Sequence, residues 1–145
     1  MILRFSTRRI IGSRLISIWV RGFAHVGILT RDNKLLSAEL IGGVCVQDLP
    51  TDYIDYTDVE LPFDIEPAAR GYIGLKYDFR SLAAFLLRIR WANPNHMFCS
   101  ELIARACRDA GYPLVSLTQE TLIDPQGLFD VVQAYLLGVS HGCKN

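Results

Sequence analysis

The stretch NHMFCSELIARACRDAG, residues 95–111, determines how the rest of the chain is interpreted. From position 99 onward, apolar or small residues recur at the spacing of one helix face, at Cys99, Leu102, Ile103, Ala106 and Ala110. Charged side chains occupy the opposite face, at Arg105, Arg108 and Asp109. Pro94 disfavours helix just upstream, and Gly111 followed by Pro113 is typical of a helix end. The pattern predicts a buried helix with Cys99 in its first turn.

A cysteine in the first turn of a helix can be chemically reactive. Unpaired backbone N–H groups and the positive end of the helix dipole favour the thiolate, which is the nucleophilic form of the side chain. An ordinary alternative stays open, because free cysteines are often buried as small apolar groups. A nucleophilic role for Cys99 requires a base within hydrogen-bonding distance and a polar group that orients this base.

Composition sets limits on the class of protein. The chain has 145 residues, so we expect a single domain over residues 1–145. Half of the residues are hydrophobic and 21% are charged, which argues against disorder. The net charge of zero provides no overall field to attract nucleic acid. We therefore expect no nucleic-acid partner. No apolar run reaches the ~18 residues of a membrane helix, so we also expect no transmembrane segment.

Cysteine spacing argues against metal binding. The four cysteines, at positions 45, 99, 107 and 143, form no C-x-x-C pair, and no H-x-x-x-H motif is present. We therefore expect no metal, no cofactor and a reducing compartment. The absence of a secretory signal favours the cytoplasm, or a virion if the chain is encoded by a phage, because a virion component is packaged rather than exported.

The first twenty residues, MILRFSTRRIIGSRLISIWV, have two interpretations. They are rich in Arg and Ser, lack acidic residues and are amphipathic, as a mitochondrial transit peptide is. Alternatively, they form a short strand at residues 2–5 and then a helix with an apolar face at Ile10, Ile11, Leu15, Ile18 and Trp19. We favour the second interpretation because the segment continues into the next strand without a linker.

The remaining pattern predicts strands first and helices later. Strands are expected at residues 22–30, 35–40, 44–46 and 58–61, the first two joined as a hairpin by a turn at 31–34. Helices are expected at residues 64–75, capped by Asp64 with Pro67 in the opening turn, and at residues 81–92. The tail contains a turn at 124–127 and an apolar helix or strand at 128–137. This order indicates an α+β fold with a mainly antiparallel sheet.

Three histidines are candidates for the base. His141 lies in the last five residues, and His96 lies in the loop that enters the Cys99 helix. His25 lies inside an apolar strand, where a charged imidazole would require a partner. The alternative is a neutral core histidine bonded to backbone.

The returning strand of the hairpin offers two partners for this ring. Ser37 and Glu39 share one face, and the hairpin can bring either of them opposite His25. Glu39 would hold an imidazolium by its charge, whereas Ser37 could only fix the tautomer. The alternative is an ordinary exposed polar face.

Four sequence blocks support the nucleophilic interpretation. In chain order they are AHVGIL, SAELIGGV, GLKYDF and FCSEL, and the stretch TQETLIDPQGL follows them. Together they span about residues 22–128, and their order and spacing resemble the permuted NlpC/P60 group of papain-like cysteine hydrolases, the YiiX-like proteins of bacteria and phages. The resemblance implies a circularly permuted papain-like fold, with an antiparallel sheet packed against the N-terminus of the cysteine-bearing helix.

The same resemblance implies roles for individual residues. Cys99 would be the nucleophile, and His25 the general base and later acid. Tyr77 matches a tyrosine that lies near the substrate and oxyanion, and Glu101 matches a structural acid. The family commonly has Glu, His or another polar residue where this chain has Ser37, so either Glu39 serves as the third member or the site is a Cys–His dyad.

The activity implied is acyl transfer through a thioester, on peptide-like amides such as those of cell walls or on lipid acyl bonds. One alternative is a catalytically silent binding or structural module on the same fold, such as a component of a phage or of a cell envelope. Another is an unrelated globular protein whose cysteine and histidine belong to the core.

Overall fold

The computed structural model describes residues 1–9, 22–77, 96–117, 119, 120 and 122–142. Its strands and helices, in chain order, are β1 Ile2–Arg8, β2 His25–Leu29, β3 Lys34–Glu39, β4 Gly43–Asp48, β5 Tyr53–Glu60, α1 Glu66–Arg70, β6 Lys76–Tyr77, β7 His96–Met97, α2 Cys99–Asp109 and α3 Pro125–Gly142.

Five strands form one sheet in the order β4-β3-β2-β1-β5, and all neighbouring strands are antiparallel. β1 lies inside this sheet, between β2 and β5. The strand part of the second interpretation of the N-terminal segment is therefore correct, and the strand is longer than expected. The α+β class with a mainly antiparallel sheet is confirmed.

One face of the sheet forms the core with the helices. The strand register sets Phe5 of β1 opposite Val26 of β2, and Ile28 opposite Leu36 of β3. All four side chains are fully buried and belong to one cluster with Leu102, Ile103 and Ala106 of α2 and Leu128 and Val132 of α3. α2 therefore packs its predicted apolar face against the middle of the sheet, which fixes where its first residue lies.

A close backbone contact joins the sheet edge to the cysteine helix. The N–H of Val44 donates to the carbonyl of Leu75 at 2.8 Å, and the N–H of Gly74 donates to the carbonyl of Val44 at 2.9 Å. Gly43 makes this approach possible, because a Cβ at this position would lie 2.0 Å from the Leu75 oxygen. The next residues form β6, which pairs in parallel with β7, and β7 leads into α2.

Several predicted boundaries differ from the structure. β5 begins at Tyr53 rather than at residue 58, because it pairs with almost the whole of β1. The helix expected over residues 64–75 is limited to α1, since turns follow from Gly71 and Gly74 has a φ of 96°. The N-cap residue of α1 is Ile65 rather than the predicted Asp64, although the side chain of Asp64 accepts the N–H of Glu66 at 3.0 Å. The tail segment is helical, in α3.

Some predictions fall outside the described residues. They are the helix built on Ile10 to Trp19, the helix at residues 81–92, and Cys143. Within the described ranges, no helix is long and apolar enough to cross a membrane.

Candidate active site

Cys99 is the first residue of α2 and is 4% exposed. Phe98 precedes it as the N-cap residue, in an extended conformation with φ −109° and ψ 170°, and its side chain makes no capping hydrogen bond. The N–H of Leu102 donates to the carbonyl of Phe98 at 3.0 Å and closes the first turn. The first N–H groups of a helix have no acceptor within it, so the positive end of the helix lies at the sulfur.

His25 is the first residue of β2 and lies between the sulfur and a carboxylate. The side chain of Cys99 interacts with its ring and raises its pKa. Its Nε2 lies 3.1 Å from Oε1 of Glu39. The structure therefore brings together two residues that are separated by most of the chain.

Glu39 ends β3 and is the carboxylate that contacts the ring. The β2–β3 register includes Ile28–Leu36 and Leu29–Leu35, and its continuation sets His25 across from Glu39. The hydroxyl of Ser37 donates to the same Oε1 at 2.6 Å. Of the two alternatives that the sequence left open, Glu39 is the one beside the imidazole, and Ser37 contacts Glu39.

The contact between His25 and Glu39 has the character of an ion pair. Nε2 and Oε1 are close, yet no acceptor within the described part of the chain lies along the Nε2–H bond. Both side chains are only 15% exposed, so little water screens their attraction. The contact is therefore electrostatic rather than a linear hydrogen bond.

The charges at the site favour an imidazolium. Burial lowers the pKa of His25, but the interaction with Cys99, followed by the interaction with Glu39, outweighs burial and raises this pKa to about 10. Burial alone would raise the pKa of Glu39, but the interaction with His25, then the Ser37 hydroxyl and the charge of Arg8, lower it to about 2. Both groups are therefore charged at neutral pH.

The other two described cysteines differ electrostatically from Cys99. Burial raises the pKa of Cys107, in the same helix, to about 12. Burial and then the negative charge of Glu39 raise the pKa of Cys45. Both are free thiols, as is Cys99. They provide internal references for the reactivity of Cys99.

Tyr77 lies near the site through its backbone. It pairs with Met97 in the β6–β7 ladder, two residues before Cys99, and its side chain is partly buried against the core. Its contribution to an oxyanion site remains a prediction. Glu101, expected to be structural, is 3% exposed and accepts a hydrogen bond from Arg105 of the same helix at 2.6 Å.

Two further polar residues near this site were not expected from the sequence. Nη1 of Arg8 lies 3.9 Å from Oε2 of Glu39, and Ser6 of β1 lies directly opposite His25. Arg4, Ser6 and Arg8 alternate along β1, and this spacing could have indicated a polar stripe. Within the described ranges, no group of three or more His, Cys, Asp or Glu side chains is arranged to hold a metal ion.

No protein-family model matches the sequence, and no curated protein matches it either.

Proposed function

We propose that this protein is a cysteine hydrolase or acyltransferase with a permuted NlpC/P60-like, papain-like fold. The observation that carries the proposal is the position of the His25 ring between the sulfur of Cys99 and the carboxylate of Glu39. A nucleophile, a base and a group that orients the base, arranged in this order, form the functional unit of thiol hydrolases. The helix start at Cys99 and the order of the sequence blocks agree with this assignment.

The first half of the proposed reaction forms a thioester. The Cys99 thiolate attacks a carbonyl carbon, a C–S bond forms, and the carbonyl oxygen becomes an oxyanion. Backbone N–H groups at the start of α2 would stabilise this charge, and Tyr77 is a further possible donor. His25 then gives its proton to the leaving amine or alcohol as the bond from carbon to that group breaks. Glu39 keeps the ring oriented throughout.

The second half regenerates the thiolate. Neutral His25 accepts a proton from water, or from another acceptor nucleophile, which attacks the thioester carbon. The C–S bond breaks, the acid or the transferred acyl product leaves, and the site returns to the thiolate–imidazolium pair. The substrate class we propose is a peptide-like amide or an acyl ester, since both supply the carbonyl and the leaving group that this cycle needs.

A generic activated ester tests the chemistry without knowledge of the natural substrate. With p-nitrophenyl acetate, we expect a burst of about one equivalent of p-nitrophenolate and one acetyl group on Cys99, detected by intact-protein and peptide mass spectrometry. The C99A variant should show neither signal. The H25A variant should acylate about 100-fold more slowly, in line with the usual contribution of a residue that transfers protons in the reaction.

The C45S variant is the matched control, because it removes a free thiol that lies on a different element, β4. It should retain the burst and the acetyl group on Cys99. If folded wild-type protein acetylates Cys45 and Cys107 as readily as Cys99, the chain is a silent binding or structural module rather than an enzyme.

A further inference from the structure

The carboxylate of Glu39 is contacted on both of its oxygens. Oε1 lies 3.1 Å from Nε2 of His25 and accepts the hydroxyl of Ser37 at 2.6 Å. Oε2 lies 3.9 Å from Nη1 of Arg8, whose side chain is 23% exposed. The contact with Arg8 is thus on the side of the carboxylate away from the histidine, and the catalytic cycle described above does not use it.

Two features of the fold position Arg8 near this carboxylate. It is the last residue of β1, and the register between β1 and β5 shifts between Thr7 and Arg8, so that Arg8 pairs with Tyr53. The residue without a partner at this shift is Ile54, so the extra residue lies on β5 and Arg8 is brought beside the start of that strand. The guanidinium is also anchored, since its Nε donates to Oδ1 of Asp52 at 2.9 Å. Asp52 immediately precedes β5, so the anchor depends on the β1–β5 pairing.

We propose that Arg8 is a positioning residue for the reaction proposed above: it keeps Glu39 ionised and directed at His25 while the ring gains and loses its proton. The effect of Arg8 on catalysis rests on the proposed function. The interaction that it assigns, between Arg8 and the charge state of Glu39, can be measured without any substrate.

The need for a second cation follows from the proton cycle. When His25 gives its proton to a leaving group, the ring becomes neutral and stops stabilising the buried carboxylate. Burial would then favour the protonated form of Glu39. A protonated Glu39 could no longer hold the imidazolium when the ring takes up a proton again. Arg8 takes no part in these proton transfers, so its positive charge opposes this change in both halves of the cycle.

The groups that interact electrostatically with Glu39 come from all five strands of the sheet. They are His25 of β2, Ser37 of β3, Arg8 of β1, Cys45 of β4 and Tyr53 of β5. Burial and then the negative charge of Glu39 raise the pKa of Cys45. Burial also raises the pKa of Tyr53, Arg4 and Arg8 oppose this rise, and Glu39 adds to it. Among these groups of the described chain, Arg8 is the cation that takes no part in proton transfer.

The chain offers a matched control for Arg8. Arg4 lies on the same strand, four residues away and therefore on the same face, and its guanidinium pairs with Asp58 at 2.7 Å. Each arginine thus pairs with an aspartate in or next to β5. Arg8 in addition forms an ion pair with Glu39. The R4Q variant removes a comparable ion pair, together with the contact of Arg4 with the Tyr53 ring, and leaves Arg8, Ser37 and His25 in place.

The test is a carboxyl titration of ¹³C-labelled Glu39 by NMR in the wild type, R8Q, R8K and R4Q. We expect R8Q to raise the pKa of Glu39 above its value of about 2, and R8K to keep it lower than R8Q does. R4Q should leave this pKa unchanged. An unchanged Glu39 titration in R8Q, or an equal rise in R4Q, would overturn the inference.

A second variant keeps the inference testable if R8Q does not fold. H25Q removes the charge of the ring and retains Arg8, so Glu39 should still be a carboxylate at neutral pH. A protonated Glu39 in folded H25Q at neutral pH would show that Arg8 is insufficient. The p-nitrophenyl acetate burst is measured separately: no burst in the wild type contradicts the proposed function, whereas an R8Q titration identical to wild type contradicts the role of Arg8.

Discussion

At the scale of single residues, the charge on His25 depends on its neighbours more than on its burial. Burial lowers its pKa, and Cys99 and Glu39 together raise it to about 10. Cys99 contributes more to this rise than Glu39 does. Changes at Cys99 should therefore be visible in the titration of the His25 ring.

Replacing Cys99 by alanine should lower the pKa of His25, because the negative charge and the hydrogen bond of the sulfur are lost while burial and Glu39 remain. The measurement is an NMR titration of the imidazole protons in the wild type and C99A. The C45S variant, whose thiol is not among the groups that shift His25, should give the wild-type titration. A His25 titration that is identical in C99A and the wild type would contradict the pairing.

Ser37 and Ser6 are two buried serines on the strands that flank β2, with 0% and 1% exposure. The Ser37 hydroxyl donates to Glu39, whereas the Ser6 hydroxyl has no hydrogen-bond partner in the described chain. S37A should lower the free energy of unfolding by about 1.5–3 kcal/mol, since the lost hydrogen bond is to a charged group. S6A should be nearly neutral. Urea denaturation measures both, and equal losses would contradict this distinction.

At the scale of elements, the contact between β4 and the segment before β6 connects the sheet to the start of α2. Gly43 and Gly74 both have positive φ, 67° and 96°, but a Cβ at Gly43 would collide with the Leu75 carbonyl while nothing lies within 4 Å of a Cβ at Gly74. G74A should cost about 1–2 kcal/mol of stability from backbone strain. G43A should cost clearly more. Thermal denaturation of the two variants measures both losses of stability. An equal loss in G43A and G74A would mean that the predicted clash with the Leu75 carbonyl costs nothing.

The sequence predicted the elements that have a strong local pattern. The periodic apolar face of residues 99–110 became α2, and alternation with turn residues predicted β2 and β3 to within a few residues. The first half of β5 was missed because it buries little of its surface, so the sequence has no clear alternation of apolar and polar residues there. Its apolar residues Ile54 and Tyr56 are both about half exposed. The end of α1 was misplaced because its helical pattern continued past Gly71.

The site was predictable only in part, for a similar reason. Cys99 and His25 stand out by residue type and local setting. The choice between Ser37 and Glu39 required the hairpin register, which the sequence constrains only loosely. Arg8 contacts Asp52, which is 44 positions away in the sequence, and Glu39, which is about 30 positions away. Contacts between residues so far apart leave no pattern in the local sequence.

At the scale of the whole molecule, the site depends on the fold because its residues come from β1, β2, β3 and α2. The raised pKa of His25 stabilises the folded state fully below the ordinary value of 6.5, and this contribution is lost as the pH rises to about 10. The lowered pKa of Glu39 stabilises the folded state above its ordinary value of 4.5, and this contribution is lost as the pH falls to about 2.

From these two groups we expect the free energy of unfolding to be highest between about pH 4.5 and 6.5 and to decrease on both sides. Urea denaturation across this range is the measurement. H25Q removes the contribution of the imidazole, so the difference in stability between the wild type and H25Q should narrow as the pH approaches 10. A difference that stays constant between pH 6.5 and 10 would mean that the His25 pKa is not raised by folding.

The most direct test of the central claim, that Cys99 is a nucleophile paired with His25, is the rate of iodoacetamide alkylation of each cysteine at about pH 6, followed by peptide mass spectrometry. We predict that Cys99 reacts at least about tenfold faster than Cys45 and Cys107, whose raised pKa values keep them protonated, and that H25A removes this advantage. Alkylation of Cys99 at the rate of the other two cysteines, with no effect of H25A, would contradict the claim.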